Sequence, residues 1–425
     1  MTIKAKYCII GLCLLKEVLM KQAKKKNKKW MKFRHKVVHL ILRHPVHLLC
    51  KIKYGIKIKK YPHKEPCLVL YNHQTAFDQF FVGLAFRQPI YYLASEDLFS
   101  NGWVSSLIKY LVEPIPIKKQ TTDVKAILNC IRVIREGGSI AIAPEGNRTY
   151  SGETVFMSPT IAPLARKMGV PIVLYRLEGG YGVQPRWSDV TRKGKMCGYV
   201  SRVIKPEEYN NLSDDELFDI IRTGLYQNEA VADAQFKHKK LAEYVERAIY
   251  TCPDCGLTTI ESNGDVIECK RCGKKVRYLP TKELKGINCD FPHKFMLDWY
   301  KAQENFVNSL DLTPYHDTPM YEDHAEVKEV IAGVSKTLLY PQADITLYGN
   351  RINISYKEGD AQQDFLFDET TAVTVLGRNK LNIYHGGKIY QLKGDKRFCA
   401  LKFVHIFHRY KNILKGDEND TFLGL

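Results

Sequence analysis

The first sixty residues hold almost no acid: Glu17 stands alone against 18 Lys and Arg, a net charge of +17. The remaining 365 residues carry 46 Lys/Arg and 45 Asp/Glu, so the +18 of the whole chain belongs to one segment. A long hydrophobic run is missing as well. The apolar stretch Tyr7–Leu15 is nine uncharged residues between Lys6 and Lys16, far short of the roughly 20 that cross a bilayer as a helix. No small-residue cleavage site follows it, and the basic run Lys21–Lys36 comes after the apolar part, which argues against a secretory signal. A disulfide framework is lacking too. Of 12 cysteines, four cluster and eight are scattered through apolar contexts, Cys67, Cys130 and Cys399 among them. That usage fits a reducing, cytoplasmic compartment. Internal repeats, low complexity beyond the lysine run, and a Gly-x-Ser-x-Gly nucleophile elbow are all absent. With 425 residues, 45% hydrophobic and 26% charged, the chain has material for two or three folded domains and is not broadly disordered.

What is present in the basic segment is amphipathic. Between Trp30 and Ile52, Phe33, Val37, Val38, Ile41, Leu42, Leu48 and Leu49 recur at helical spacing with His and Lys between them, and Pro45 is expected to kink or break that helix. Apolar residues interleaved with cations suit a helix in the headgroup layer of an anionic leaflet. The same composition would also serve a solvated basic arm or a nucleic-acid tail.

From Pro66 to about Lys205, short apolar runs alternate with amphipathic stretches. Strands are expected at Cys67–Tyr71, Ile90–Ala94, Ser139–Ala143 and Pro171–Arg176, and helices at Thr122–Glu136 and Pro159–Met168. This alternation predicts an α/β fold, a mixed sheet covered by helices. Ser213-Asp-Asp-Glu216 reads as a capping box opening a helix to about Tyr226, and a second helix is expected over Ala230–Tyr250. A further helix is expected over Phe291–Leu310. From Asp344 the pattern turns to short alternating strands separated by Gly349-Asn350, Gly377 and Gly386-Gly387, closed by a helix at about Lys396–Tyr410. The domain plan is an anchoring segment 1–60, a catalytic domain 61–210, a helical connector 211–250, a cysteine module 251–280, a helical linker 281–340 and a mainly β module 341–425.

Three constellations carry chemistry. Asn72-His73-Gln74-Thr75-Ala76-Phe77-Asp78 follows a strand directly. An imidazole and a carboxylate on one short loop can act as a base and its orienting partner. On a regular helix, residues five apart point about 140° from one another, so the pair meets only if the chain bends between them. The second is Pro144-Glu145-Gly146-Asn147-Arg148 at the end of an apolar strand, where ligands of α/β sheets sit. Glycine permits close backbone approach there, and arginine offers a planar fork for phosphate. The third is Cys252-x-x-Cys255 and Cys269-x-x-Cys272, each pair followed by Gly, with two strand-like arms around Asn263-Gly264 between them. Four thiolates at that spacing match a structural zinc ribbon, with no coordination position left for water. A redox dithiol or an iron centre is the alternative.

The first two segments together resemble the glycerolipid acyltransferase family, that of 1-acylglycerol-3-phosphate acyltransferases, whose hallmark is Asn-His-x-x-x-x-Asp followed by Pro-Glu-Gly-x-Arg. His73 and Glu145 are 72 residues apart. Ile115-Pro-Ile-Lys-Lys119 and Gly169-Val-Pro-Ile-Val173 are similar to the family's two other blocks. Ala143, Asn147 and Lys119 depart from the family's commonest residues. The resemblance implies that His73 is the general base, oriented by Asp78, and that Asn72, Lys119, Glu145, Gly146, Asn147 and Arg148 hold the acceptor. It implies transfer of an acyl group from acyl-CoA or acyl carrier protein to the sn-2 hydroxyl of 1-acylglycerol 3-phosphate, giving phosphatidate. The expected partners are anionic membrane lipids, the lysophospholipid and the acyl donor, with no nucleic acid, at the cytoplasmic face of the cell membrane in monotopic or peripheral attachment. Another lysolipid or polar acceptor is the alternative within enzymes, and a catalytically silent membrane scaffold is the alternative outside them. The strand-rich tail resembles a pleckstrin-homology or GRAM-type module in pattern, without a diagnostic motif.

Overall fold

A computed structural model describes residues 29–62, 64–95, 98–99, 102–117, 123–154, 156–231, 233–331, 335–356, 361–416, 420 and 422–424. The apolar stretch 7–15, most of the lysine run and Lys119 lie outside the described residues.

The chain's first half forms a seven-stranded sheet. Its strands are β1 (Ile56–Ile58), β2 (Leu68–Tyr71), β3 (Ile90–Ser95), β4 (Ile115–Ile117), β5 (Ser139–Ile142), β6 (Ile172–Glu178) and β7 (Met196–Ile204), in the order β1-β7-β6-β2-β5-β3-β4. Neighbours from β6 to β4 pair parallel, β7 runs antiparallel to β6, and β1 pairs parallel with β7. The expected mixed α/β sheet is therefore present. Its central strands read as apolar runs because helices cover both faces, and Leu68, Val69, Leu70, Val173 and Leu174 are fully buried. The covering helices are α1 (Phe33–Tyr54), α2 (Asp78–Ala85), α3 (Trp103–Val112), α4 (Val124–Arg135), α5 (Ile161–Met168) and α6 (Asp214–Leu225). The Ser213 capping box forms as expected, with Ser213 Oγ accepting from Glu216 N at 3.1 Å and Glu216 Oε2 from Ser213 N at 2.7 Å.

Pro45 does not break α1, which runs through it as one helix. The ring removes a single backbone donor, while anchors lie on both sides: His35 bonds Tyr91 Oη at 2.9 Å, and Cys50 and Tyr54 are buried.

Residues 230–250 are not the helix their periodicity predicts: the described residues hold turns and one 3-10 turn at Val245–Arg247. Other segments claim the backbone laterally. Phe236 N donates to Pro280 O, Lys237 and Lys193 exchange both bonds, and Ala242 N donates to Gly264 O. The side chains are buried accordingly, since Phe236, Leu241, Ala242, Val245 and Ile249 all lie in the interior. Tertiary contacts have overridden helix propensity.

The cysteine module contains β8 (Thr251–Cys252), β9 (Gly256–Leu257), β10 (Ile260–Asn263), β11 (Val266–Cys269), β12 (Lys275–Tyr278) and β13 (Leu284–Ile287), the last four forming one antiparallel sheet. Asn263 pairs with Val266, so the hairpin turns on Gly264-Asp265, one residue later than expected, with Gly264 at φ +62°. The segment expected as a helical linker holds β13, then α7 (Met296–Ser309), and then the start of a second seven-stranded sheet.

That second sheet is β14 (Tyr321–Ile331), β15 (Ser335–Leu347), β16 (Arg351–Tyr356), β17 (Ala361–Leu366), β18 (Thr370–Leu376), β19 (Lys380–His385) and β20 (Lys388–Gly394). All pairs are antiparallel, in the order β17-β16-β15-β14-β20-β19-β18, and α8 (Ala400–Lys415) packs across it through Leu401, Phe403, Val404, Ile406 and Phe407. The mainly β C-terminal domain thus begins near Tyr321. Its first strand carries Glu322, Asp323, Glu326, Lys328 and Glu329, and an irregularity between Ala325 and Lys328 breaks its two-residue alternation.

Candidate active site

β2 and β5 are adjacent and parallel, with Leu70 opposite Ile142. Three residues beyond each partner stand His73 and Glu145, so sheet register alone brings two loops from distant sequence to one end of the sheet. Hydrogen bonds then pin them together. His73 N donates to Glu145 Oε1 at 2.8 Å, and Thr149 N donates to His73 O at 3.4 Å.

The chain bends after β2, as the His-Asp spacing requires. Asp78 opens α2 and is fully buried, with Oδ2 at 2.8 Å from His73 Nδ1. Its carboxyl also accepts from Gln74 N at 2.6 Å, from Thr75 N at 2.9 and 3.0 Å, and from Thr75 Oγ1 at 2.6 Å. Such a ring of donors fixes the carboxyl rigidly. With a carboxylate at Nδ1, that nitrogen carries the proton and Nε2 carries the lone pair. The His73 side chain is 22% exposed, which suits a group that receives a proton from a bound molecule.

Gly146 follows with φ +70°, a conformation that favours glycine, and the turn closes with Gly146 N on Ala143 O at 3.0 Å. Burial pushes the Glu145 carboxyl up to about 8. Arg148 is half-buried, and its Nη1 is enclosed without a hydrogen-bond partner among the described residues. Burial, then repulsion from Arg186, pulls its guanidinium down to about 10. A buried, unsatisfied guanidinium nitrogen carries a desolvation penalty that an anionic ligand would relieve.

Asn72 is oriented the other way. Its Nδ2 donates to Leu177 O at 2.9 Å and to Gln227 Oε1 at 3.2 Å, and its Oδ1 accepts from Leu177 N at 2.8 Å. The amide ties the end of β2 to β6 and so places His73. Asn147 is half-buried in the same turn as Arg148. His73, Asp78, Glu145 and Arg148 are thus assembled at one end of the sheet, Gly146 and Asn147 shape the turn between them, and Asn72 supports it from below.

Two contributors escaped the sequence reading. Thr75 clamps Asp78 with both its N and its hydroxyl, and a hydroxyl between His and Asp is the one signal that would have found it. Arg186, 3% exposed, donates Nη1 to Arg148 O at 2.9 Å and lies 4.1 Å from the centroid of Tyr150. It belongs to Pro185-Arg-Trp187, where nothing local marks it.

The four cysteines form a separate cluster, with all sulfurs within 4.8 Å of one another. Cys252 and Cys272 Sγ lie 3.8 Å apart, and Cys255 and Cys269 Sγ 3.9 Å. Tetrahedral ligands at about 2.3 Å from zinc stand about 3.8 Å apart, so the four thiols are a donor set of the right kind and spacing for that ion.

Comparison with known proteins bears on the first half of the chain. The family model described as "Acyltransferase" matches residues 55–175. A chloroplastic 1-acyl-sn-glycerol-3-phosphate acyltransferase of Brassica napus is 26% identical over 154 residues, which is 35% of this chain and 44% of that protein. A 1-acyl-sn-glycerol-3-phosphate acyltransferase of Bacillus subtilis is 21% identical over 184 residues, 42% of this chain and 89% of that protein. The protein of the same name from Borreliella burgdorferi is 29% identical over 131 residues, 28% of this chain and 52% of that protein. The chain therefore spans about half the length of two of these relatives. A solved structure, the 1-acyl-sn-glycerophosphate (LPA) acyltransferase of Thermotoga maritima, aligns over 52% of this chain and 89% of that one at 19% identity and a TM-score of 0.38. The stretch that matches the acyltransferase model, residues 55–175, includes His73, Asp78, Glu145 and Arg148.

Proposed function

We propose that this chain transfers a fatty acyl group from acyl-CoA or acyl carrier protein to the sn-2 hydroxyl of 1-acylglycerol 3-phosphate, forming phosphatidate. The observation that carries this reading is the pairing, within two loops joined by His73 and Glu145, of an Asp78-bound imidazole with the unsatisfied guanidinium of Arg148. The imidazole takes the hydroxyl proton at Nε2, the freed oxygen attacks the thioester carbonyl, and the carbon–sulfur bond breaks as the tetrahedral intermediate collapses. Asp78 compensates the imidazolium meanwhile. The proton then passes to the departing thiolate. A thioester is already activated, so positioning and one base supply much of the rate. Arg148 holds the acceptor phosphate, Glu145 fixes the His73 backbone, and Lys119 adds a further phosphate contact.

The site works at a membrane surface in this reading. Among the described residues no helix is long and apolar enough to cross a membrane. α1 and α3 lie together, with Arg34 Nε on Tyr110 O at 2.8 Å, and expose Phe33, Ile52 and Trp103 at 81, 77 and 76%. Leu40, Ile41, Leu48 and Leu49 are exposed as well, beside the exposed cations Lys36, Lys51 and Lys53. Apolar side chains rimmed by cations favour an anionic leaflet on its cytoplasmic side. The cysteine cluster holds a structural zinc ion. Four strands, three strands and a helix in succession support the pleckstrin-homology or GRAM-like reading of the tail.

The test is direct. Purified protein is incubated with labelled acyl-CoA and a panel of lysolipids, and the acylated product is identified. Labelled phosphatidate from 1-acylglycerol 3-phosphate is the expected result. Acylation confined to acceptors without a phosphate would overturn the reading.

A further inference from the structure

The family match ends at residue 175, yet the loop that carries Arg148 is enclosed by residues from far beyond it. Tyr150 stacks on Tyr300 of α7 with centroids 6.5 Å apart, Lys301 pairs with Glu153 at 2.6 Å, and Phe156 packs against Phe422 at 4.6 Å. On another side stands Arg186, bonded to the Arg148 carbonyl. Three residues later, Asp189 receives Arg247 Nη1 at 2.6 Å and Arg378 Nη1 at 3.3 Å.

Arg378 is the tip of the β18–β19 turn. Gly377 takes φ +66° there, and Asn379 Nδ2 locks the turn by donating to Gly394 O at 2.9 Å and Asp395 O at 2.8 Å. The turn therefore presents Arg378 from a rigid base, and its side chain remains 31% exposed. It reaches the Arg148 loop through Asp189, which follows Arg186 by three residues. Arg186 is bonded to the Arg148 carbonyl and Arg378 is paired with Asp189 three residues on, so this junction carries three arginines. Among the described residues the carboxylate that pairs with any of them is Asp189, and Asp189 is shared with Arg247. Cations drawn out of water without matching anions are costly, and planar guanidinium forks are suited to bind phosphate through paired donors.

We propose that Arg378, carried by the C-terminal domain, completes the acceptor site and recognises the acceptor's phosphate monoester together with Arg148 and Arg186. The C-terminal domain thereby selects the headgroup of the lipid that the acyltransferase domain acylates. This inference rests on the reading of the acceptor as a phosphate-bearing lysolipid.

The full-length protein is assayed with oleoyl-CoA against two acceptors in mixed micelles, 1-oleoylglycerol 3-phosphate and 1-oleoylglycerol 3-phosphocholine. Arg378→Gln raises KM for the phosphate monoester about tenfold, as expected for one charge-assisted bond, and leaves KM for oleoyl-CoA unchanged. Preference over the zwitterionic acceptor falls with it. Arg378→Lys recovers part of the loss, because it keeps the charge and gives up the fork. Asp189→Asn serves as the structural control. It weakens the same ion pair, keeps an oxygen for Arg247 and leaves the Arg378 cation in place, so acceptor KM stays level or drops. An unchanged acceptor KM in Arg378→Gln overturns the inference, as does an equal rise in Asp189→Asn, which would mark the ion pair as merely structural. Wild-type protein that acylates neither lysolipid overturns the acceptor reading itself, and the role of Arg378 falls with it.

Discussion

His73 and His405 each make a short hydrogen bond through Nδ1, and their settings could hardly differ more. His73 stands beyond the end of a parallel strand, partly open, with a carboxyl as its partner. His405 lies on α8 at 0% exposure, with Nδ1 at 2.7 Å from Tyr250 Oη and Nε2 at 3.4 Å from Tyr300 Oη. Burial drives its imidazole down to about 3. A ring beside a carboxylate can take a proton because the new charge is matched. A ring between neutral hydroxyls meets the full cost of desolvation and stays neutral. The first half of the chain delivers polar groups to the rim of its sheet, where a ligand can meet them. The second half keeps His405 inside, where two tyrosine hydroxyls satisfy it.

The widest gap between the two rings should appear on mutation. His73→Ala is expected to lower kcat/KM about a thousandfold, near 4 kcal/mol of transition-state stabilisation, without shifting the unfolding curve. Asp78→Asn should lose much of the rate, and the double variant little more, since the pair acts as one unit. His405→Ala should do the opposite, costing about 3 kcal/mol of stability through a cavity and two stranded hydroxyls, with turnover per folded molecule kept. Paired activity and denaturation measurements check this, and a His73→Ala variant that unfolds easily while turning over normally would erase the distinction.

The cysteine cluster extends the comparison to a third site, the one proposed to hold zinc. Cys255→Ser should abolish zinc binding and lower the stability of the 250–280 module by several kcal/mol. Catalytic groups are left in place, and elemental analysis with proteolysis mapping reads both effects. Metal-free wild-type protein with an intact module would remove the zinc assignment.

Arg148→Ala should raise KM for the acceptor about tenfold to a hundredfold, the loss of a charge-assisted contact of about 1.5–3 kcal/mol, and spare KM for the acyl donor. An effect confined to the donor would mean that the arginine serves the other substrate.

Glu145 carries the comparison into stability, where its effect is read without turnover. Its folded pKa of about 8 lies above its ordinary 4.5, so between those values the unfolded chain releases the proton while the native chain keeps it. The native state then holds more protons, and stability falls as pH rises from 4.5 toward 8. Glu145→Gln removes that slope. Urea denaturation at pH 5 and pH 8 should show the variant gaining on wild type at the higher pH, and a constant difference would show that Glu145 ionises freely.

The same contrast governs what could be read from the sequence. β2, β3, β5 and β6 were legible because strands buried on both faces are continuous apolar runs. β7 mixes Arg202 and Ser201 into a half-exposed antiparallel strand, and β14 carries charged residues along its length, so neither announced itself. His73 and Asp78, like Glu145 and Arg148, lie within one local motif whose spacing is itself the signal. Arg186 and Arg378 reach the site through contacts across tens to hundreds of residues, and no local pattern encodes such a meeting. Residues 230–250 had helical periodicity, but their backbone groups found partners in three other segments.

Phe236 fills a slot over Gly182 and Gly194 that any added Cβ would close, at 2.1 and 2.2 Å from its ring. Arg192, 1% exposed, is sealed by the carbonyl of Leu241 and by Tyr278 Oη, which lie 49 and 86 residues further along the chain. During synthesis, a ribosome that has released residues 55–210 has therefore made the first sheet without the segments that cover this flank. The arginine and Trp187 wait there for partners that have yet to be translated. The first half matures on a schedule set by the half that follows it, and a stop codon or frameshift near residue 235 would leave Trp187 and Arg192 without the partners that bury them.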